Sequence, residues 1–117
     1  MSHEGRSTKE VRPWGHMETL YSEPTAWVKI LTVDPGKRLS LQSHRSRDEL
    51  WVCIRGEVIA EVTGKTFTLK KGGIVAIRQG ETHRLSSVTG GTIVEVAVGP
   101  RVAEDDIVRY HDDHGRA

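Results

Sequence analysis

One cysteine, Cys53, stands in a chain of 117 residues, so an internal disulfide is excluded. Its setting, Trp51-Val52-Cys53-Ile54, reads as a buried structural thiol rather than a nucleophile. No apolar run approaches the roughly 20 residues of a helical membrane span. The opening residues, Met1-Ser2-His3-Glu4-Gly5-Arg6, lack the apolar core of a secretory signal, so a cytoplasmic protein with no membrane partner is expected. Low-complexity tracts, heptads and long repeats are missing, as is any Gly-rich nucleotide loop. Nor is there an excess of one charge: 17 Lys and Arg against 16 Asp and Glu leave +1, too balanced for an electrostatic nucleic-acid binder. The cations are nonetheless unusual in kind. Eleven of the 17 are Arg, whose fork matches carboxylate and phosphate geometry, and an anionic small ligand fits that bias.

What remains is a chain of short strands punctuated by Gly and Pro. A single domain is expected from the length, with residues 1–10 a polar, disordered N-terminal segment and residues 11–117 folded. Strands are expected over Ala26–Val33, Arg38–Gln42, Leu50–Ile54, Glu57–Val62, Lys65–Leu69, Ile74–Ile77, His83–Val88 and Thr92–Val98. Asp34-Pro35-Gly36, Arg55-Gly56, Thr63-Gly64, Lys70-Lys71-Gly72-Gly73 and Thr89-Gly90-Gly91 supply the turns between them. About eight strands without an amphipathic helix of useful length predict an all-β, closed antiparallel sandwich or barrel. Glu104–Ile107 is expected to form one helical turn. Trp14, Trp27 and Trp51 read as packing residues.

Four residues carry the chemistry. Gln42 and His44 are two apart, so on a strand both side chains point to one face. Glu49 follows a short polar stretch, and His83 lies 39 residues beyond His44, after a second strand and turn. Imidazole, carboxylate and amide oxygen together suit a borderline divalent metal. A carboxylate at an inward strand position needs a partner, and a metal supplies one. One divalent ion is expected, zinc first, with manganese, cobalt and magnesium as alternatives. His3, His16, His111 and His114 match no ligand pattern.

The spacing runs Gly36, five residues, Gln42-Ser43-His44, four residues, Glu49, six residues, Gly56; then Gly72, five residues, Arg78-Gln79-Gly80, two residues, His83. This resembles the two cupin motifs, with Gln42 where His is usual and Arg78 where Pro is usual. The Gln is shared with one cupin branch, the type II phosphomannose isomerases. Those form the mannose-6-phosphate isomerase domain often fused to a mannose-1-phosphate guanylyltransferase. The likeness runs from Val11 to Arg116. Arg12-Pro13-Trp14-Gly15 looks like the family's opening signature. Pro35-Gly36-Lys37-Arg38-Leu39-Ser40-Leu41-Gln42-Ser43-His44 resembles its PGKxLSLQxH stretch. Arg47-Asp48-Glu49-Leu50-Trp51 resembles RxEHW, and Thr82-His83-Arg84-Leu85 resembles KHRL. Glu104 to Arg109, then Asp112 to Arg116, resemble the EDDIVR tail and the segment after it.

The resemblance implies a double-stranded β-helix (cupin, jelly-roll barrel) and a metal-dependent aldose-ketose isomerase acting on mannose 6-phosphate and fructose 6-phosphate. It implies Gln42, His44, Glu49 and His83 as metal ligands and a small phosphorylated sugar as partner. Arg47 and Lys37 become candidates for the catalytic step, Arg47 as a cation beside the developing enediolate oxygen. Glu18 is a further candidate proton carrier. Arg38, Arg78, Arg84, Arg109 and Arg116 are candidates for holding the phosphate, Arg84 against its outward strand phase next to a ligand. A homodimer is expected, because pairing removes exposed strand edges. The alternative is a non-catalytic, metal-containing cupin that binds a sugar phosphate or another small anion. A cupin oxygenase fits least, since its facial ligation favours His and carboxylate over Gln42. Three positions depart from the family pattern: Ser46 and Leu50 stand where His is frequent, and His114 where Tyr is usual. Guanylyltransferase activity is not expected.

Overall fold

Alternation of buried and half-buried residues is what builds this molecule. In Ala26–Val33 every second side chain (Trp27, Lys29, Leu31, Val33) is buried, as a strand with one face on a core demands. The computed structural model describes residues 8–113, and among them there is no helix. Ten strands run in chain order: β1 Thr8–Arg12, β2 Gly15–Glu23, β3 Ala26–Val33, β4 Leu41–Ser43, β5 Asp48–Val62, β6 Lys65–Lys70, β7 Ile74–Ile77, β8 His83–Ser86, β9 Gly91–Val98 and β10 Val108–His111.

All pairings are antiparallel. One sheet runs β1-β2-β3-β9-β5-β7 and the other β6-β5-β8-β4-β10. β5 belongs to both. Its first half pairs with β9 and β7, its second with β6 and β8. The strand turns the corner near Gly56, at φ 68°, where an added Cβ would sit 2.4 Å from the Gly90 carbonyl oxygen. Only glycine tolerates both the angle and the approach. The sheets thus curl over a shared interior, the cupin jelly-roll barrel expected from the sequence.

The apolar core fills one end of that interior with Val33, Cys53, Val58, Leu85 and Ile93, each 1% exposed or less. Cys53 is a buried free thiol packed there, with Sγ near the Arg55 and Gly56 carbonyls.

Several boundaries differ from expectation. Leu50–Ile54 and Glu57–Val62 are one 15-residue strand, because Gly56 bends the chain without ending the pairing. Arg38–Gln42 is mostly irregular: one bridge, Arg38 to Ser86, precedes the three-residue β4. Ordered strand begins at Thr8, inside the segment expected to be disordered, since Thr8–Arg12 pairs with Gly15–Thr19; residues 1–7 lie outside the described residues. Glu104–Ile107 is a turn closed by an Asp106 amide bond to the Ala103 carbonyl, 3.2 Å, and does not continue as helix.

Candidate functional site

Side chains in register across neighbouring strands point to the same face, and three such rows define the open end of the barrel. Trp27, Ala97, Glu49 and Ile77 form one row across β3, β9, β5 and β7. Lys29, Glu95, Trp51 and Val75 form the next. On the opposite sheet Arg109, Gln42, His83 and Val62 align across β10, β4, β8 and β5. These rows face one cavity, which His44 and Arg47 enter from the loop before β5.

His44, Glu49 and His83 are buried, and one donor atom from each lies within 4.8 Å of the others, a group able to hold a metal ion. His44 Nε2 is 3.2 Å from His83 Nε2 and 3.3 Å from Glu49 Oε2; His83 Nε2 is 3.9 Å from Glu49 Oε1. Backbone carbonyls set the tautomers. His44 Nδ1 is 2.6 Å from the Asp106 carbonyl, and His83 Nδ1 is 3.1 Å from the Glu81 carbonyl. A carbonyl only accepts, so each Nδ1 carries the proton and each Nε2 turns a lone pair into the cavity. Burial, and secondly Arg47, hold His44 down to about 4; burial lowers His83 as well. Both rings are therefore neutral near pH 7. The two neutral lone pairs face each other at 3.2 Å with no proton between them, His44 Nε2 taking a 3.1 Å contact from Arg47 Nη2 to one side. A cation between them resolves that contact, so the residues present fit a divalent metal.

The surroundings orient these groups. Arg47 donates through Nε to Glu49 Oε2 (2.9 Å), through Nη1 to the Ala103 carbonyl (2.9 Å) and through Nη2 to His44 Nε2 (3.1 Å). Trp51 Nε1 donates to Glu49 Oε1, and Trp27 Nε1 to Glu95 Oε2, both at 2.9 Å. Two residues read as packing thus also aim carboxylates. Asp106 pins the ligand loop by accepting from the Arg45 and Ser46 amides. Its burial pushes the carboxyl up, but those two amides prevail and hold it below the usual range. Gly99 lets that loop close in, since a Cβ there would meet the Ser46 carbonyl oxygen at 2.0 Å.

Of the residues singled out from sequence, Gln42, His44, Arg47, Glu49, His83 and Arg109 line this cavity. Others do not. Lys37 is exposed on the Asp34–Lys37 turn, because Leu39 is the next residue of that stretch to turn inward. Arg38 lies outside with Asp113. Arg78 is exposed in the turn closed by Glu81. Arg84, one residue from His83, takes the opposite strand phase and donates through Nη2 to His111. Glu18 neighbours the inward Met17 and is not among the lining residues. Arg116 and His114 lie outside the described residues. Leu50 faces outward, 37% exposed, so its departure from the family pattern does not reach the cavity.

Sequence reasoning missed Arg12, Lys29, Glu95 and Glu104, which also line the cavity. Lys29 is buried, lies 3.7 Å over the Trp27 ring and pairs with Glu104 on the segment between β9 and β10. Burial, and secondly the nearby Glu49, push the Glu95 carboxyl up to about 7. A signal was present: Lys29 and Glu95 occupy the inward phase of strands whose other inward residues are apolar.

The profile of the family described as "Mannose-6-phosphate isomerase C-terminal" matches residues 2–112. The chain is 36% identical to the mannose-1-phosphate guanylyltransferase ManC of Salmonella typhimurium, aligned over 97% of this chain and 24% of that protein. It is 37% identical to the alginate biosynthesis protein AlgA of Pseudomonas aeruginosa, over 90% of this chain and 22% of that one. The chain thus spans about a quarter of the length of these curated relatives. Among solved structures, an RmlC-like cupin from Shewanella frigidimarina superposes with a TM-score of 0.78 at 19% identity, covering 91% of this chain and 93% of that one.

Proposed function

The chain belongs to the mannose-6-phosphate isomerase C-terminal family, and on that premise we propose that it interconverts mannose 6-phosphate and fructose 6-phosphate with one bound divalent metal. The observation that carries this reading is the pair of facing imidazole lone pairs beside Glu49, in a cavity that Arg12, Lys29, Arg47 and Arg109 also line. His44, Glu49 and His83 would hold the ion, and Gln42, in the same row as His83, would offer an amide oxygen. When bound, such an ion polarises a sugar carbonyl or hydroxyl as a Lewis acid.

The chain's own groups do the rest. Arg47 and Trp51 hold the two oxygens of Glu49 in fixed directions. The Asp106 and Glu81 carbonyls keep both imidazoles in the ligating tautomer. Arg109 and Arg12 supply forks suited to a phosphate dianion, and anchoring the phosphate positions the sugar carbons over the cavity. Arg47 places a positive charge where negative oxygen develops in an enediolate. A homodimer forms part of the reading: β1 is an edge strand whose Val11 is 84% exposed.

The test is a coupled assay of fructose 6-phosphate formed from mannose 6-phosphate, with zinc, manganese, cobalt or magnesium added to metal-free protein. Metal-dependent turnover supports the proposal. Metal uptake and sugar-phosphate binding without turnover would favour the non-catalytic binding cupin instead. Light scattering should give about twice the 13.0 kDa chain mass; a value at 13.0 kDa would sink the dimer.

A further inference from the structure

An aldose-ketose isomerisation needs one group that takes a proton from carbon and gives it back to the neighbouring carbon. His44, Glu49 and His83 are committed to the triad. Arginines cannot serve, because the guanidinium does not deprotonate in proteins. Lys29 sends its ammonium to Glu104, which ties up both. That leaves Glu95 among the titratable residues lining the cavity.

Its placement suits the task. Glu95 sits in the row between Lys29 and Trp51, one row deeper than Glu49. It is 7% exposed. Trp27 Nε1 fixes Oε2 at 2.9 Å, and among the described residues no donor is bonded to Oε1. A carboxylate buried beneath a ligand cavity with no ion-pair partner within 4 Å among the described residues is costly unless it serves the ligand.

We propose that Glu95 is the proton carrier of the isomerisation. This rests on the isomerase reading above. In the forward direction, acting on the open-chain sugar, the Glu95 carboxylate takes the proton from C2. The C2–H electron pair becomes the C1–C2 double bond, and the C1 carbonyl oxygen takes a proton from a water molecule, giving the enediol and hydroxide. The hydroxide then takes the O2 proton, re-forming water, as the O2–H electron pair becomes the C2 carbonyl and the double-bond pair returns to C1, which takes the proton back from Glu95. C1 is reduced and C2 oxidised within one molecule, so no external oxidant or reductant enters.

The experiment uses the full chain loaded with metal. Glu95→Gln keeps the shape and an oxygen acceptor for Trp27. It should lower kcat for fructose 6-phosphate formation by about 100-fold or more, with metal content unchanged and the melting temperature not lowered. In deuterium oxide the original protein should incorporate deuterium into the sugar at C1 or C2, and Glu95→Gln should not. Glu95→Asp keeps the carboxylate but sets it back, so kcat should fall less than in Glu95→Gln while KM stays put. It also serves as the test if Glu95→Gln does not fold. Turnover and deuterium incorporation within about threefold of the original in a folded variant would overturn the assignment of Glu95 alone. An original protein that holds metal yet interconverts no mannose 6-phosphate would overturn the isomerase reading, and Glu95's role with it.

Discussion

The two ends of the barrel are made by the same strands and differ only in which residues occupy the inward phase. Along β3 the inward positions read Trp27 and Lys29 at one end, Leu31 and Val33 at the other. Along β5 they change from Glu49 and Trp51 to Cys53, then Val58 and Ala60 past the bend. Along β9, Ala97 and Glu95 give way to Ile93. Two rows of polar and aromatic groups thus stand on apolar rows of equal regularity. The closed end gains stability from burying apolar surface. The open end buries charge, which hydrogen bonds from Trp27, Trp51 and Arg47 only partly offset. Function and stability are therefore separated along each strand rather than between strands.

Substitution at the two ends should dissociate those properties. The largest effect belongs to the open end: His44→Ala and His83→Ala should each bring metal content close to zero by elemental analysis, without lowering the stability of the metal-free protein. Unchanged stoichiometry in both would break the ligand assignment. At the closed end, Ile93→Ala removes a fully buried side chain and should cost about 2–5 kcal/mol in a urea titration, with metal stoichiometry intact. A metal loss there matching that of His44→Ala would show that the ends are not separable. Arg47→Ala should lower kcat by about 100-fold with a much smaller change in KM, and Arg47→Lys should recover only part. A rise in KM alone would recast Arg47 as a phosphate anchor.

Acid should also act through the open end. His44 falls to about 4 in the fold from 6.5, so between those values the unfolded chain binds a proton that the folded one refuses. Stability must then drop as pH falls through that window. Glu95, raised to about 7 from 4.5, works in the opposite sense, since there the folded chain holds the extra proton. The two nearly offset, and His83, also lowered by burial, tips the balance: metal-free protein should lose stability between pH 6.5 and 4.5, and Glu95→Gln should steepen the loss; urea midpoints across that range measure both. The smallest effect is expected outside the barrel. Leu50→His restores the residue frequent in the family, but on the outer face, so turnover and metal content should stay within about twofold of the original.

Much of the candidate site was legible because metal-suited donors obey local rules. Gln42, His44, Glu49 and His83 were recognisable from spacing and donor chemistry, and all four line the cavity. Cations judged by nearness to a ligand were less so. Arg84 follows His83 directly yet turns away, because one residue's shift along a strand reverses the side-chain direction, and Lys37 sits on an exposed turn five residues before Gln42. Lys29 and Glu95 lie far from every ligand in the chain and meet the site only through the β3-β9-β5 register. Their strand phase was readable, but which end of the strand it served was not.

Composition and alternation by themselves determined an all-β fold without an internal disulfide, its inward faces, and a metal-suited donor set. They did so because strand period and ligand chemistry are local properties, readable over a few residues. Only the tertiary structure decided that β5 spans both sheets and that Trp27 and Trp51 each donate to a carboxylate in the neighbouring row. It alone brought Asp106 back to fix the tautomer of His44 from 62 residues away. Those facts depend on which strands pair and in what register, and pairing is settled by the closing of the whole barrel, where each row becomes a neighbour of residues remote in the chain.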